Sequence, residues 1–102
     1  MLNAAWVPLE TARMAVEVME LCAQAVGIGN LNAISDGASG AALARASLTG
    51  AGYNVRINLA SLNDASKGEG LLQEIRRLEH RADEIEASIR THLVERGGMP
   101  LP

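Results

Sequence analysis

The side chains in this sequence of 102 residues that could bind or transform a small molecule lie mainly in residues 29–62. This segment reads GNLNAISDGASGAALARASLTGAGYNVRINLASL, and its polar residues stand among apolar neighbours. Carboxylates transfer protons, and amides and guanidinium groups form directional hydrogen bonds. We therefore look for a site among six residues, which are Asn30, Asn32, Asp36, Asn54, Arg56 and Asn58.

The local pattern of the same segment predicts a helix with small side chains. Ser35 and Asp36 follow a turn rich in Gly and Asn, and both are good N-cap residues, so a helix is expected to begin there. The small side chains that follow favour close packing against another helix, including one from a second copy of the chain. Asn54 and Asn58 are four residues apart and share one face of this helix.

Several short motifs in this order resemble the formiminotransferase-cyclodeaminase family, which includes the bacterial stand-alone methenyltetrahydrofolate cyclohydrolases. The matching pattern in this sequence is GNxxxxSD, followed by small residues and then by GAxxNVxINL. A Trp-Val-Pro entry to a helix precedes this pattern and also resembles the family. The resemblance extends over about residues 4–94 and rests on Ala5-Trp6-Val7-Pro8-Leu9, Gly29-Asn30, Ser35-Asp36, Gly50-Ala51-Gly52-Tyr53-Asn54-Val55 and Ile57-Asn58-Leu59.

The resemblance implies binding of a reduced, one-carbon-substituted folate, with no separate cofactor. Asp36 is the candidate catalytic residue, and Asn30, Asn54, Arg56 and Asn58 are the candidate substrate-binding residues. The amides would read the edge of the pterin ring, and the cation would meet the glutamate tail. The alternatives are structural, with Asp36 as an N-cap, Asn30 as a turn residue and Arg56 as a solvated surface charge.

The chain resembles only the second half of the cyclodeaminase domain of that family. The first half carries a Pro-Gly-Gly-Gly-Ser-type segment and an Asp-x-Asp-Ala-type acidic segment, and this sequence contains neither. We therefore expect a fragment, a half-domain gene product, or one part of a split protein whose partner chain supplies the missing half. Catalysis is then doubtful, and the alternative function is a non-catalytic helical oligomerisation or interaction module.

Composition narrows the class of protein further. A net charge of −3 argues against a nucleic-acid or anionic-membrane surface. The single cysteine, Cys22, excludes an internal disulfide, and no His, Cys or carboxylate cluster has metal-binding spacing. No apolar run reaches transmembrane length and no signal peptide is visible, so the expected location is the cytoplasm. The expected partners are a reduced folate and a second copy of the chain, in a homodimer or higher oligomer.

Hydrophobic periodicity predicts an all-α fold of three main helices. Helix one is expected over residues 8–26, helix two over residues 35–59, and helix three from a start between residues 64 and 70, capped by Asn63-Asp64. Residues 1–96 then form a single domain and residues 97–102 a flexible tail, and the charges of residues 74–86 are interpreted as a solvated face. The apolar stripe of helix three is Leu71, Ile75, Leu78, Ala82, Ile85, Ile89 and Leu93.

Overall fold

The computed structural model describes residues 2–61 and 65–101, and within them the chain forms three helices and no strand. The helices are α1 (Leu2–Ile28), α2 (Leu31–Ala60) and α3 (Ala65–Glu95). The all-helical fold of three main helices predicted from the sequence is confirmed. The expected cap at Asn63-Asp64 lies outside the described residues.

Helix α1 begins earlier than predicted, because its buried stripe extends to the N-terminal side of Pro8. Pro8 lies inside the helix, where the missing amide hydrogen removes one backbone bond. Ala5 and Leu9 are both fully buried on either side of it. Their burial continues the helical pattern across the proline, so the prediction that Pro8 opens the helix was wrong.

The start of α2 also differs from the prediction. Asn30 is the N-cap, and its side-chain oxygen accepts a hydrogen bond of 3.0 Å from the amide of Ala33. Capping by Ser35 or Asp36 is therefore wrong, because one turn of helix already precedes them. The connection from α1 is only Gly29-Asn30, and it is tight: a Cβ on Gly29 would lie 2.8 Å from the carbonyl oxygen of Ala25.

The core is an aliphatic layer shared by all three helices. In the apolar stripe predicted for α3, six members are buried and Leu71 packs partly buried against them. Small residues bring α1 and α2 together, since a Cβ on Gly37 would lie 2.8 Å from a methyl of Val26. The larger buried side chains are Leu9, Val16, Met19, Val26, Ile34, Leu48, Val55, Ile75, Leu78, Ile85, Ile89 and Leu93.

The charged residues 74–86 of α3 are not only a solvated face, as the sequence had indicated. Five of them pair with residues of α1 or α2, which fixes how α3 sits on the other two helices. The N–O distances of these interhelix pairs lie between 2.7 and 3.3 Å. The pairs are Arg13–Glu74, Glu20–Arg81, Arg45–Asp83, Arg45–Glu86 and Arg56–Glu79.

Beyond α3 the chain turns back onto the bundle. Arg96 donates hydrogen bonds to the carbonyl oxygens of Val26, at 2.6 Å, and Gly29, at 2.9 Å, and so caps the C-terminal end of α1. Gly98 has a positive φ of 64°, which glycine adopts without strain. Met99 and Leu101 then pack against the core, while flexibility of the tail stays a prediction.

The three helices make an elongated body measuring 51 × 20 × 16 Å. In the described ranges, 2–61 and 65–101, no helix is long and apolar enough to cross a membrane.

Candidate functional site

Two of the candidate residues, Asp36 and Asn54, lie on one side of α2, which we call the α2 outer face. It consists of six residues at helical spacing whose side chains point away from the core. Five of them are exposed and Gly50 is half-buried. The residues of the α2 outer face are Asp36, Leu43, Ser47, Gly50, Asn54 and Ile57.

Asp36 is an exposed carboxylate in the second turn of α2. Because Asn30 caps the helix, no capping role holds the Asp36 side chain to the backbone. The favourable effect of the helix dipole on an acid falls off within the first turn. The Asp36 carboxylate is thus exposed and makes no capping bond.

Asn54 and Asn58 lie toward the C-terminal end of α2, and each is tied to the preceding turn. The Asn54 side-chain nitrogen donates to the carbonyl of Gly50 at 3.2 Å. The Asn58 side-chain nitrogen donates to the carbonyl of Asn54 at 2.8 Å. Each bond uses one of the two N–H donors of an amide and fixes its orientation. The pair therefore presents two oriented amides one turn apart.

A single chain does not bring Asp36 and Asn54 together. They are separated by eighteen residues of continuous helix, which at 1.5 Å per residue is about 27 Å along the axis. Both point to the same side of α2. A ligand that contacts one of them in this chain leaves the other at the far end of the face.

The remaining two candidate residues have structural partners. Asn30 is the N-cap of α2. Arg56 lies on the side of α2 that faces α3, where it forms a two-pronged ion pair with Glu79 at 2.7 and 2.9 Å. The hydrogen bond to Glu79 raises the pKa of the Arg56 guanidinium above its ordinary value. Arg56 therefore does not share the exposed face of Asp36 and Asn54.

Gly52 lies under this ion pair. A Cβ on Gly52 would lie 2.8 Å from Oε2 of Glu79 and 2.9 Å from a guanidinium nitrogen of Arg56. Gly52, which stands at one of the unspecified positions of the GAxxNV motif, is therefore explained here by the packing of α2 against α3. It needs no ligand to account for it.

A second surface feature was missed by the sequence reasoning. Exposed apolar side chains also lie along α1 and α2, each between 45% and 75% exposed, and we call this set the α1–α2 face. A groove of about 510 Å³ runs along it between the two helices. Residues 7, 14, 18 and 21 recur at helical spacing, so a second stripe was visible in the sequence. The α1–α2 face consists of Val7, Met14, Val18, Leu21, Leu43 and Ile57.

Within the described ranges, no three His, Cys, Asp or Glu side chains lie close enough together to hold a metal ion.

The fold and these surfaces define an all-helical protein with an acid and two amides on the exposed side of its middle helix. The sequence model of formiminotransferase-cyclodeaminase matches residues 1–77, and the chain belongs to this family. The match includes every candidate site residue but ends before residue 94, where the resemblance had been expected to end. No curated protein and no solved structure matches the chain significantly. The family links the chain to folate-dependent one-carbon metabolism.

Proposed function

We propose that this chain binds a one-carbon-substituted tetrahydrofolate on the α2 outer face, with cyclodeaminase-like or methenyltetrahydrofolate cyclohydrolase-like chemistry. The observation that carries the proposal is the family match over residues 1–77, which contains the exposed Asp36 and Asn54 and the half-buried Asn58 one turn beyond Asn54. Arg56 and Asn30 are left out of the proposed site because their side chains serve the helix packing and the N-cap.

In this proposal the two amides hold the pterin ring. A pterin edge alternates hydrogen-bond donors and acceptors, and an amide offers both within one planar group. Asn54 and Asn58 have their orientation fixed by bonds to the preceding turn. Preorganised polar groups bind with less loss of side-chain entropy.

Asp36 is the proposed proton-transfer group, and because it lies about 27 Å along α2 from Asn54, this role requires that the folate on which it acts is held by the amides of another chain. In hydrolysis, water adds to the carbon between N5 and N10, one carbon–nitrogen bond breaks, and one proton is released. In the cyclodeaminase reaction, N10 attacks the formimino carbon and ammonia leaves. Each reaction needs a group that gives or takes a proton, and Asp36 is the exposed carboxylate on this face.

Calorimetric titration with tetrahydrofolate tests the binding part. Asn54→Ala removes an amide from the exposed face and should weaken binding by about fivefold, since a hydrogen bond contributes roughly 1 kcal/mol. Gln73→Ala is the matched control, because Gln73 is an exposed amide on α3. Unchanged affinity in Asn54→Ala would remove Asn54 from the site.

Loss of methenyltetrahydrofolate absorbance tests the catalytic part. We expect this chain to be slower than a full-length family member by about 10²–10⁴, the usual contribution of a positioned acid or base. Any activity it retains should vanish in Asp36→Asn while the helical circular dichroism is unchanged. Robust activity that persists in Asp36→Asn would show that this carboxylate is not the proton-transfer group.

A non-catalytic interaction module is the second candidate function, and the α1–α2 face supports it. Soluble monomers rarely expose a contiguous apolar surface larger than a few hundred Å². A chain that self-associates but gives no heat with any reduced folate would favour this second function over the first.

A further inference from the structure

We propose that the outer side of α1 is a docking surface for one amphipathic helix of a different polypeptide, whose apolar stripe is flanked by Lys or Arg. We call this surface the α1 seam, and its role does not depend on the proposed folate site. The α1 seam consists of Val7, Met14, Val18, Leu21 and Ile28.

The spacing of the α1 seam is that of a helix that packs along a second helix. Its members are between 45% and 88% exposed. Four of them recur at intervals of seven residues, and with the smaller residues between them they form steps of four and three. Such a repeat keeps one side of a helix facing its partner, with each side chain seated between side chains of the facing helix. The repeat consists of Val7, Thr11, Met14, Val18, Leu21, Ala25 and Ile28.

Helix α1 has another apolar stripe, and that stripe is covered within the chain. Its members Ala5, Leu9 and Met19 are fully buried. Ala5 and Val7 are two residues apart, and side chains at that separation on a helix point about 200° apart. Apolar residues on both sides of a helix are typical of a helix that is covered on both sides. The α1 seam is therefore the uncovered side of a helix whose composition suits a place between neighbours.

The charges beside the α1 seam indicate the chemistry of the helix that covers it. Glu10 and Glu17 directly precede Thr11 and Val18, which puts them at the flanking positions where paired helices form ion pairs. Glu17 has no ion pair among the described residues, and Glu10 pairs with Arg13 of its own helix. Lys or Arg on a partner helix would meet both acids.

The remaining charges of α1 and α2 strengthen this asymmetry. Within the described residues, all three of their arginines and one acid form ion pairs with α3. The charged side chains of α1 and α2 that do not pair with α3 are all acidic, and they are Glu10, Glu17 and Asp36.

A second copy of the chain does not supply the cations that this surface would bind. Its α1 seam would bring its own Glu10 and Glu17 against the same acids, or would present its other flank, which holds the uncharged Ala15 and Cys22. Like charges that face each other across an interface disfavour that partner. The α1 seam therefore fits a helix from a different polypeptide.

Binding of a synthetic helix tests the surface directly. The probe is a fluorescent peptide of about four heptads, with Leu and Val along its apolar stripe and Lys at both flanking positions, so that repulsion keeps it from pairing with itself. A second peptide carries Glu in place of every Lys. Fluorescence anisotropy should show micromolar binding of the Lys peptide and binding of the Glu peptide that is weaker by about tenfold or more, since repulsion replaces attraction at Glu10 and Glu17. Equal binding of the two peptides, or binding of neither, would overturn the proposal.

A double variant tests whether the peptide lies on the α1 seam. Met14→Ser with Leu21→Ser removes two large apolar contacts without changing the net charge, and should weaken binding of the Lys peptide by more than about tenfold. Helical circular dichroism should be unchanged, because both side chains are mainly exposed. Val94→Ser is the matched control, because Val94 is an exposed apolar residue on α3. Undiminished binding in the double variant would place the peptide elsewhere and refute the α1 seam.

Charge reversal tests the flanking acids. Glu10→Lys with Glu17→Lys should reverse the preference, so that the Glu peptide binds more tightly than the Lys peptide. Glu95→Lys, at an exposed acid on α3, is the control for a change in net charge and should leave the preference as it is in the parent. A preference for Lys that survives the reversal would contradict the assigned role of Glu10 and Glu17.

Sedimentation velocity without peptide distinguishes a second copy from a different polypeptide. We expect the parent chain and the Met14→Ser, Leu21→Ser variant to have the same mass in solution. A parent dimer that dissociates in this variant would show that a second copy covers the α1 seam, and would overturn the proposal.

Discussion

The two long surfaces of α2 differ in what they contact. On the side that faces α3, apolar contacts are accompanied by ion pairs from Arg45 and Arg56 to carboxylates of α3. On the outer side, Leu43 and Ile57 are more than two-thirds exposed. One side of the helix therefore has both its apolar and its charged groups matched within the chain, whereas the other has apolar groups without such a match.

This difference distinguishes contacts that fix the register of two packed helices from contacts that only bury apolar area. An apolar stripe alone allows one helix to slide on another, because the hydrophobic effect has no direction. Ion pairs add geometric constraints, even though each stabilises the fold only slightly. The α3 surface thus has a fixed register. The outer surface of α2 has no ion pair to another helix among the described residues that would fix such a register.

The largest expected contrast is between two leucines of α2. Leu48 is fully buried, so Leu48→Ala should lower the free energy of unfolding by about 2–5 kcal/mol. Leu43 is 75% exposed, so Leu43→Ala should change it by less than about 0.5 kcal/mol in dilute solution. Urea denaturation of both variants checks this. Equal losses would mean that Leu43 is packed within its own chain.

The fold was predictable because its main signal is local. Periodic apolar positions such as Ile75 and Ile89 are buried as expected, and the family motifs fall on α2. The helix starts were not predictable to the same degree. Asn, Ser and Asp are about equally good N-caps, so capping preference could not separate Asn30 from Ser35 or Asp36, whereas packing of Ile34 in the core extends α2 by a turn.

The candidate site was only partly predictable, because the side on which a residue faces depends on tertiary contacts. Arg56 and Asn54 are two residues apart in sequence but point to different sides of α2. The direction of the Arg56 side chain is set by its ion pair with Glu79 on α3. Nothing in the sequence links Glu79 to Arg56. The exposed apolar residues of α1 and α2 could be grouped into one face only once it was known that α1 packs beside α2.

Two glycines of α2 provide the next contrast. Gly50→Ala should raise the free energy of unfolding by about 0.5–1 kcal/mol, because alanine is the better helix former and a Cβ meets no atom within 4 Å. Gly52→Ala should give no such gain, because its Cβ would displace the ends of Arg56 and Glu79. Thermal denaturation of both variants measures the difference. A larger gain for Gly52→Ala would contradict the close contact under the ion pair.

The ion pairs themselves should have smaller effects that follow their exposure. A double-mutant cycle with Arg56→Met and Glu79→Gln should give a coupling energy of about 0.5–1 kcal/mol, since the contact is two-pronged and part-buried. The same cycle with Glu20→Gln and Arg81→Met should give about 0.2–0.5 kcal/mol, since that pair is more exposed. Both couplings should weaken in 1 M salt. A coupling that is unchanged by salt would contradict an electrostatic origin.

The smallest effect is the contribution of Glu74 to the dependence of stability on pH. The hydrogen bond from Arg77, and a weaker one from Arg13, lower the pKa of Glu74 below its ordinary value even though partial burial opposes this. A carboxyl whose pKa is lower in the folded state stabilises the fold above its unfolded-state pKa, which is about 4.3 for Glu. This stabilisation is lost as the pH falls through the folded-state pKa.

The stability difference between the parent chain and Glu74→Gln should therefore be constant near neutral pH and shrink in acid. Urea denaturation from pH about 7 down to about 3 covers this interval. Arg77→Gln identifies the cause, because removing the main hydrogen-bond donor should raise the pKa of Glu74 in an NMR titration. An unchanged pKa in that variant would assign the shift to Arg13 instead. Glu74 would then respond to the packing of α1 against α3 rather than to its own helix.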